Sequence, residues 1–134
     1  LGIPPFLLGS SLNLIMAQRL VRTIDPDNKE TFEPTKSDLE RINCPESQKI
    51  PEKLSRGIPH LSNHNTGYKG RTAIHEIIAV DSDMKQLIFN NSNQNEIVSL
   101  AKKKGMTTLR EAATEKLIQG KTSIDEVIRA TLEE

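Results

Sequence analysis

Few side chains in this sequence could catalyse a reaction or bind a metal, and most of them lie in the middle of the chain. The sequence has three histidines and one cysteine. His60 and His64 are four residues apart, and the carboxylates of Asp25 and Asp27 could add oxygen ligands to a metal site. Pro59 disfavours the helix that would place both histidines on one face. Polar loop side chains in contact with water are therefore the simpler interpretation.

Nucleophilic catalysis and autonomous nucleotide binding both lack a supporting motif. Cys44 precedes Pro45 and has no nearby histidine in sequence, so an ordinary thiol is a simpler reading than a nucleophile. His75 lies in an apolar run and is expected to be a hydrogen-bonded structural residue rather than a catalytic base. No serine occupies a G-x-S-x-G motif, and no G-x-x-x-x-G-K-[ST] phosphate loop is present. The sequence predicts no catalytic residue in this chain.

Three arginines are candidates for binding an anionic group. Arg19 and Arg22 are three residues apart, and on a helix they would point the same way. A guanidinium can bind a phosphate or a carboxylate through two parallel hydrogen bonds. The alternative is that both are solvated charges that complement the end of a helix dipole. Arg71 is the third candidate.

Composition limits the class of protein. Apolar residues make up 35% of the 134 residues and aromatic residues 3%, so any hydrophobic core is expected to be aliphatic and small. A small core is typical of a segment that packs against another part of a protein. Eighteen basic residues balance eighteen acidic ones, which argues against a dedicated nucleic-acid binder. One cysteine excludes an internal disulfide. The most apolar run, residues 1–17, is too polar for a membrane span.

Hydrophobic spacing and capping residues predict the elements. Leucine and isoleucine at helical spacing predict a helix over residues 5–23, followed by a turn at Asp25–Asn28. Thr35 is expected to cap a short helix, and residues 43–65 are expected to be irregular. The β-branched, largely apolar residues 72–80 are predicted to form a buried strand. Beyond residue 81 four helices are predicted, which end at Phe89, Gly105, Gly120 and the chain end. Their expected N-caps are Asp81, Asn93, Thr108 and Ser123, and Ser123 has capping-box spacing with Glu126.

Several motifs of this chain occur in the same order as in one protein family, which the chain resembles. The motifs are LGIPPFLL at 1–8, AQRLVR at 17–22, TGYKGRTAIHE at 66–76, GMTTLRE at 105–111 and GKTSIDEV at 120–127. Together they resemble the secretion ATPases, the hexameric enzymes that drive type II secretion and type IV pilus assembly. The resemblance covers nearly the whole chain, and it rests on the combination of motifs rather than on any one of them.

The resemblance implies the C-terminal part of a motor domain. The phosphate loop, which binds ATP and Mg²⁺ in the parent enzyme, would precede this segment, so the segment by itself would bind no cofactor and hydrolyse no ATP. The implied partners are five further copies of the parent in a homo-hexamer and a platform protein of the inner membrane. The location would be the cytoplasmic side of that membrane, with no span and no nucleic acid bound. The alternative is a stand-alone, non-enzymatic interaction module.

The chain departs from the family at a zinc site. Many relatives carry two C-x2-C pairs, and the corresponding residues are Asp25 with Asn28, and His60 with Asn63. This set is a poor zinc site, although His64 remains a possible substitute ligand. We expect the lobe to fold without metal, held by hydrogen bonds between polar side chains.

The family also implies roles for other residues. Arg19, Arg22 and Arg71 are expected near a subunit boundary, where they would sense nucleotide or brace the ring, unless Arg71 pairs with Glu76 within the chain. Tyr68 is expected to pack the inserted lobe against the first helix. The family-motif residues with structural roles are Gln18, Gly67, Tyr68, Gly70 and Glu76.

The expected fold class is α+β and predominantly α-helical, and the resemblance implies a fragment of a RecA-like P-loop ATPase. A long N-terminal helix (residues 1–24) closes the ATPase core. A degenerate metal-lobe insertion (25–66), irregular apart from a short strand or hairpin, and a strand segment (67–80) follow. A C-terminal lobe of four helices (81–134) completes the chain.

Overall fold

The computed structural model describes residues 14–43, 48–90 and 93–132. Within these ranges the strands are β1 (Leu14–Ile24), β2 (Lys29–Phe32), β3 (Leu54–Gly57) and β4 (Tyr68–Ala79). The helices are α1 (Lys36–Ile42), α2 (Ser82–Phe89), α3 (Gln94–Lys103), α4 (Leu109–Ile118) and α5 (Ile124–Ala130), and a single 3-10 turn covers Leu61–Asn63. The fold is a mixed α+β arrangement. Cys44 and residues 1–13 of the predicted first helix lie outside the described ranges.

The predicted N-terminal helix is wrong over residues 14–23, which belong to strand β1. The leucine spacing fits a helix, but the segment also carries the β-branched Val21, Thr23 and Ile24, which favour a strand. Strand β1 pairs with β4 in a two-stranded sheet. The partner strand decided the outcome, since a short apolar segment with both patterns takes its conformation from what it pairs with.

Strand β4 confirms the predicted strand and extends it back to Tyr68. The expected full burial is wrong, because Ile74 is buried whereas His75 and Ile77 are exposed. His75 therefore does not have the buried structural role that the apolar run predicted. More buried and exposed residues alternate along much of the strand, as expected when one face of a sheet packs on the core and the other faces solvent.

Strands β2 and β3 form a second, antiparallel sheet in the region expected to be irregular. Lys29 pairs with Gly57 and Phe32 pairs with Leu54 at the two ends of the register. This confirms the short strand or hairpin predicted within residues 25–66.

The chain divides into two compact units. One comprises residues 1–17 and 76–108, and the other comprises residues 18–75 and 109–134. Helices α2 and α3 belong to the first unit, and α4 and α5 belong to the second. The four helices predicted over 81–134 are present, and two of them belong to each unit. Helical periodicity locates each helix but does not identify the surface that it covers.

Each unit has its own aliphatic core. In the first unit Met84 is fully buried beside Val80 and Ala101. The core of the second unit is larger and draws on both of its sheets and on helices α1, α4 and α5. Its buried members are Val21, Ile42, Leu54, Ile74, Ala113, Leu117, Ile124, Val127 and Ala130.

The predicted helix caps are largely confirmed. The side chains of Thr35, Asp81, Asn93 and Ser123 each accept a hydrogen bond from a backbone N–H in the first turn of α1, α2, α3 and α5. Gly105 and Gly120 have φ angles of 90° and 76°, the left-handed conformation that ends helices. Local chemistry therefore sets the helix boundaries.

Candidate functional site

The four positions that the sequence resemblance matched to zinc ligands lie together in the second unit. They are brought there by the turn after β1, which carries Asp25 and Asn28, and by the 3-10 turn before β4, which carries His60 and Asn63. The backbone N–H of Asp25 donates to the carbonyl of Gly67 over 3.0 Å, which fixes one segment against the other. The C-x2-C-like spacing thus marks two real turns that meet.

Asp25 is the centre of this arrangement and is completely buried. Its Oδ1 accepts from the backbone N–H of Asp27 over 3.0 Å. Its Oδ2 accepts from the side-chain amides of Asn28 and Asn63, each over 3.0 Å. These hydrogen bonds, led by that from Asn28, lower the pKa of the Asp25 carboxyl below its usual value, so the group is ionised at neutral pH.

Asn63 uses its full hydrogen-bonding capacity. Its Nδ2 donates to Asp25 and to the carbonyl of Ile58, and its Oδ1 accepts from the backbone N–H groups of His60 and Gly67 over 2.9 and 3.1 Å. An asparagine amide offers two donors and one acceptor oxygen with two lone pairs, and all are engaged. Asn63 is 2% exposed, and its buried side chain connects four hydrogen-bonding partners: the Asp25 side chain and the backbones of Ile58, His60 and Gly67.

His60 joins the same arrangement through Ser62. The Nδ1 of His60 accepts from the backbone N–H of Ser62 over 3.1 Å and lies 2.9 Å from the Ser62 hydroxyl. The Ser62 Oγ also accepts from the Asn28 amide over 3.3 Å. We call Asp25, Asn28, His60, Ser62 and Asn63 the polar network, because hydrogen bonds connect all five side chains.

The donor set of the polar network does not fit zinc. Asn28 and Asn63 direct their NH₂ groups at Asp25, and an amide NH₂ has no lone pair for a metal. The Nδ1 lone pair of His60 is used by Ser62. Among the described residues, no group of three or more His, Cys, Asp or Glu side chains is placed to hold a metal ion. His64 is exposed, with a left-handed backbone at the end of the 3-10 turn.

A second cluster surrounds Glu126 of α5, which is 1% exposed. Its Oε2 accepts from the backbone N–H of Arg22 over 2.7 Å, and its Oε1 accepts from the Arg22 guanidinium over 2.9 Å. Arg129 donates to both oxygens of the same carboxylate, over 2.9 and 2.7 Å. We call Arg22, Glu126 and Arg129 the Glu126 cluster.

The electrostatics of the Glu126 cluster favour the ionised acid. Burial by itself would raise the pKa of Glu126, but the hydrogen bonds from Arg129 and from Arg22 outweigh it and lower the pKa to about 2. The pKa of Arg129 is raised in turn, chiefly by its hydrogen bond with Glu126. One buried carboxylate thus neutralises part of the charge of two half-exposed guanidinium groups.

Tyr68 completes the surroundings of Arg22. The Arg22 guanidinium carbon lies 4.1 Å from the centre of the Tyr68 ring, a cation–π contact. The Tyr68 hydroxyl is hydrogen-bonded to the hydroxyl of Ser123, the N-cap of α5. Tyr68 therefore packs on β1 and the start of α5, whereas the sequence predicted packing on an N-terminal helix.

The three arginines singled out in the sequence have different environments. Arg19 and Arg22 do not point the same way, because residues three apart in a strand lie on opposite faces. Arg22 is held by Glu126, whereas Arg19 is exposed and donates to the adjacent Gln18 carbonyl. Arg71 is exposed, and the ion pairs found among the described residues do not include it or the alternative pairing with Glu76.

The remaining family-motif residues lie in or beside β1 and β4. Gly67 and Gly70 have φ angles of 81° and 83°, which suit glycine at the start of β4. Gln18 is exposed in β1, and Glu76 is half-buried in β4. No single local signal in the sequence identified the Glu126 cluster. The spacing of Ser123 and Glu126 suggested a capping pair, and only the Ser123 half of that pair is present.

Comparison with known proteins agrees with the sequence motifs. A family model described as "Type II/IV secretion system protein" matches residues 1–129. The chain is 38% identical over 135 aligned residues to the "Type II secretion system ATPase E" of Vibrio cholerae, covering 99% of this chain and 26% of that protein. It is 35% identical over 133 residues to the "Type IV pilus assembly ATPase PilB" of Thermus thermophilus, covering 99% of this chain and 15% of that protein.

A third relative is also matched over most of this chain but over only a small part of its own length. The "Type IV pilus assembly ATPase TfpB" of Acinetobacter baylyi is 36% identical over 129 residues, covering 96% of this chain and 22% of that protein. The chain thus spans between 15% and 26% of the length of these three curated relatives. Separately, no helix in the described part of the chain is long and apolar enough to cross a membrane.

Proposed function

Since this chain belongs to the type II/IV secretion system protein family, we propose that it is a segment of a hexameric ATPase that powers type II protein secretion or type IV pilus assembly. The observation that carries this proposal is the match over residues 1–129. Relatives named as ATPases of both machines align with at least 96% of the chain, which supports the proposal without separating the two machines.

The segment's proposed part in that ATPase is ring assembly and coupling rather than hydrolysis. No phosphate loop occurs in the sequence, so ATP and Mg²⁺ would be bound by other parts of the parent enzyme. The two clusters described above consist of side chains that satisfy one another, which suits a rigid structural role. In the polar network the Ser62 hydroxyl lies 2.9 Å from Nδ1 of His60, but the lone pair of that nitrogen already accepts from the backbone N–H of Ser62, so it is not free to take the hydroxyl proton.

Arg19 and Arg71 are the proposed contacts with a neighbouring subunit. Both are exposed, and neither is used in an ion pair among the described residues. An exposed guanidinium on a strand can form a bidentate contact with a carboxylate or phosphate of the next subunit. Arg22 is assigned instead to an intramolecular role, because buried Glu126 holds it.

The proposed location is the cytoplasmic face of the inner membrane. The parent would be held there by a platform protein of the secretion or pilus machine. A balanced formal charge of zero supports a protein partner over a nucleic acid.

The first test is to read the coding sequence that adjoins this segment and to assay ATP hydrolysis. A G-x-x-x-x-G-K-[ST] motif upstream, with Mg-ATP hydrolysis by the encoded protein and none by the 134-residue chain, is the expected result. Hydrolysis by the 134-residue chain itself would overturn the assignment of a non-catalytic segment. A gene product without a phosphate loop would instead favour a stand-alone interaction module.

A further inference from the structure

We infer that the polar network replaces a metal as the structural tie of the segment between β1 and β4, so that this segment folds without zinc and does not bind it. The inference concerns this chain's own residues and is independent of the proposed motor function. It follows from the disagreement between a ligand-like spacing and the side chains that occupy it.

The polar network makes the connections that a structural metal would make. Its members come from the turn after β1 and from the 3-10 turn before β4, which are 38 residues apart at Asp25 and Asn63. A tetrahedral metal site closes a loop by holding two pairs of ligands together. Here the buried Asp25 carboxylate holds Asn28 of its own turn and Asn63 of the other.

Backbone hydrogen bonds reinforce the contact between the same two turns. Gly67 donates to Asn63 and accepts from Asp25, and Ile58 donates to the carbonyl of Asn28 over 2.8 Å. A Cβ built on Gly57 would lie 1.9 Å from the Gly67 carbonyl oxygen, so two backbone segments touch directly beside the network. The junction is therefore tightly closed by the chain itself.

Binding a metal would break several hydrogen bonds of the polar network. The Asn63 oxygen would have to give up two backbone donors, and His60 would have to release the Ser62 N–H. Leaving buried donors without partners is costly. Zinc prefers thiolate and imidazole ligands, and in the described part of the chain no three His, Cys, Asp or Glu side chains are grouped so that they could hold a metal ion.

The test measures zinc content and thermal unfolding of the full 134-residue chain. The expected result is no stoichiometric zinc after incubation with excess zinc chloride and removal of unbound ion, and the same midpoint temperature with zinc or with EDTA. One bound zinc per chain, with a midpoint temperature that rises in zinc and falls in EDTA, would overturn the inference.

Two variants test the network itself. Asn63→Ala should lower the midpoint temperature by roughly 5 °C or more, because it removes four hydrogen bonds at a buried position. The matched control is Asn95→Ala, an exposed asparagine in α3, which should change the midpoint temperature little. Equal effects of the two substitutions would contradict the inference.

If Asn63→Ala does not fold, the milder Asn28→Ala decides the question. It removes one bond to Asp25 and one to Ser62 at a half-buried position. Its midpoint temperature should fall below that of Asn95→Ala and should not recover with zinc. Recovery with zinc, or a midpoint temperature equal to that of the control, would overturn the inference.

Discussion

Glu126 in α5 accepts hydrogen bonds from both the backbone N–H and the guanidinium of Arg22 in β1, although 104 residues separate them in sequence. The contact joins the first described strand to the last helix, within one compact unit. A second arginine, Arg129, donates to both oxygens of the same carboxylate. Arg22, which was predicted to lie near a subunit boundary, is thus bound within its own chain.

We expect Glu126→Gln to destabilise the chain by about 2–4 kcal/mol, because two guanidinium groups lose the carboxylate that neutralises them at a buried position. Urea unfolding should show a lower midpoint with an unchanged slope. The control is Asp125→Asn, since Asp125 is largely exposed and its ion pair with Arg41 lies at the surface. That change should cost less than about 1 kcal/mol. Equal costs for the two substitutions would contradict the role assigned to Glu126.

The stability that Glu126 contributes should depend on pH. Its pKa is about 2 in the folded chain against an ordinary value of 4.5, so the unfolded chain binds a proton first as the pH falls. The contribution is complete above about pH 4.5 and is lost between there and pH 2. The midpoint temperatures of wild type and Glu126→Gln, measured from pH 6 to pH 2, should therefore converge. A difference that stays constant with pH would show that the charge of Glu126 is unimportant.

Gly57→Ala should destabilise the chain by about 3 kcal/mol or more, because the added methyl group would overlap the backbone carbonyl of Gly67. A backbone atom cannot move aside as a flexible side chain can. Gly105→Ala is the comparison, since a Cβ there meets open space and only the φ of +90° opposes it, at about 1 kcal/mol. Chemical denaturation of both variants tests the order. A smaller loss for Gly57→Ala than for Gly105→Ala would exclude the close backbone contact.

Arg19→Glu and Arg71→Glu should leave the stability of the isolated chain within about 0.5 kcal/mol, since both residues are exposed. In the complete ATPase of the proposed function, each should weaken ring assembly by about tenfold, equivalent to roughly 1.4 kcal/mol. Analytical ultracentrifugation measures the assembly, and ATP hydrolysis reports its consequence. Lys53→Glu, an exposed charge reversal in a loop, is the matched control. Unchanged assembly in both arginine variants would remove them from the interface.

Sequence reasoning succeeded where a short stretch of chain determines its own conformation. Thr35 and Asp81 accept from the backbone at the helix starts as predicted, because a cap needs only the next three residues. It failed at β1, where leucine spacing and β-branched residues indicate different structures. The choice between them depends on β4, more than 40 residues later, and no local window contains that partner.

The candidate site divides in the same way. The resemblance to the family matched Asp25 with Asn28, and His60 with Asn63, to two C-x2-C pairs, and from that match we predicted hydrogen bonds in place of thiolate ligands. The spacing did not reveal Ser62 as the link to His60, or Asn63 as the buried junction. Those roles depend on which side chains meet in space when two distant turns are brought together.

The sequence by itself determined the family, most helix boundaries and the positions of the two turns, because each depends on residue identity over a few neighbouring positions. Only the tertiary structure decided that residues 14–24 form a strand and that the four C-terminal helices divide between two units. It also decided that Arg22 is committed to Glu126 while Arg19 and Arg71 remain exposed. The physical reason is that strand pairing, burial and ion pairing are set by partners far away in sequence, whose positions only the folded chain defines.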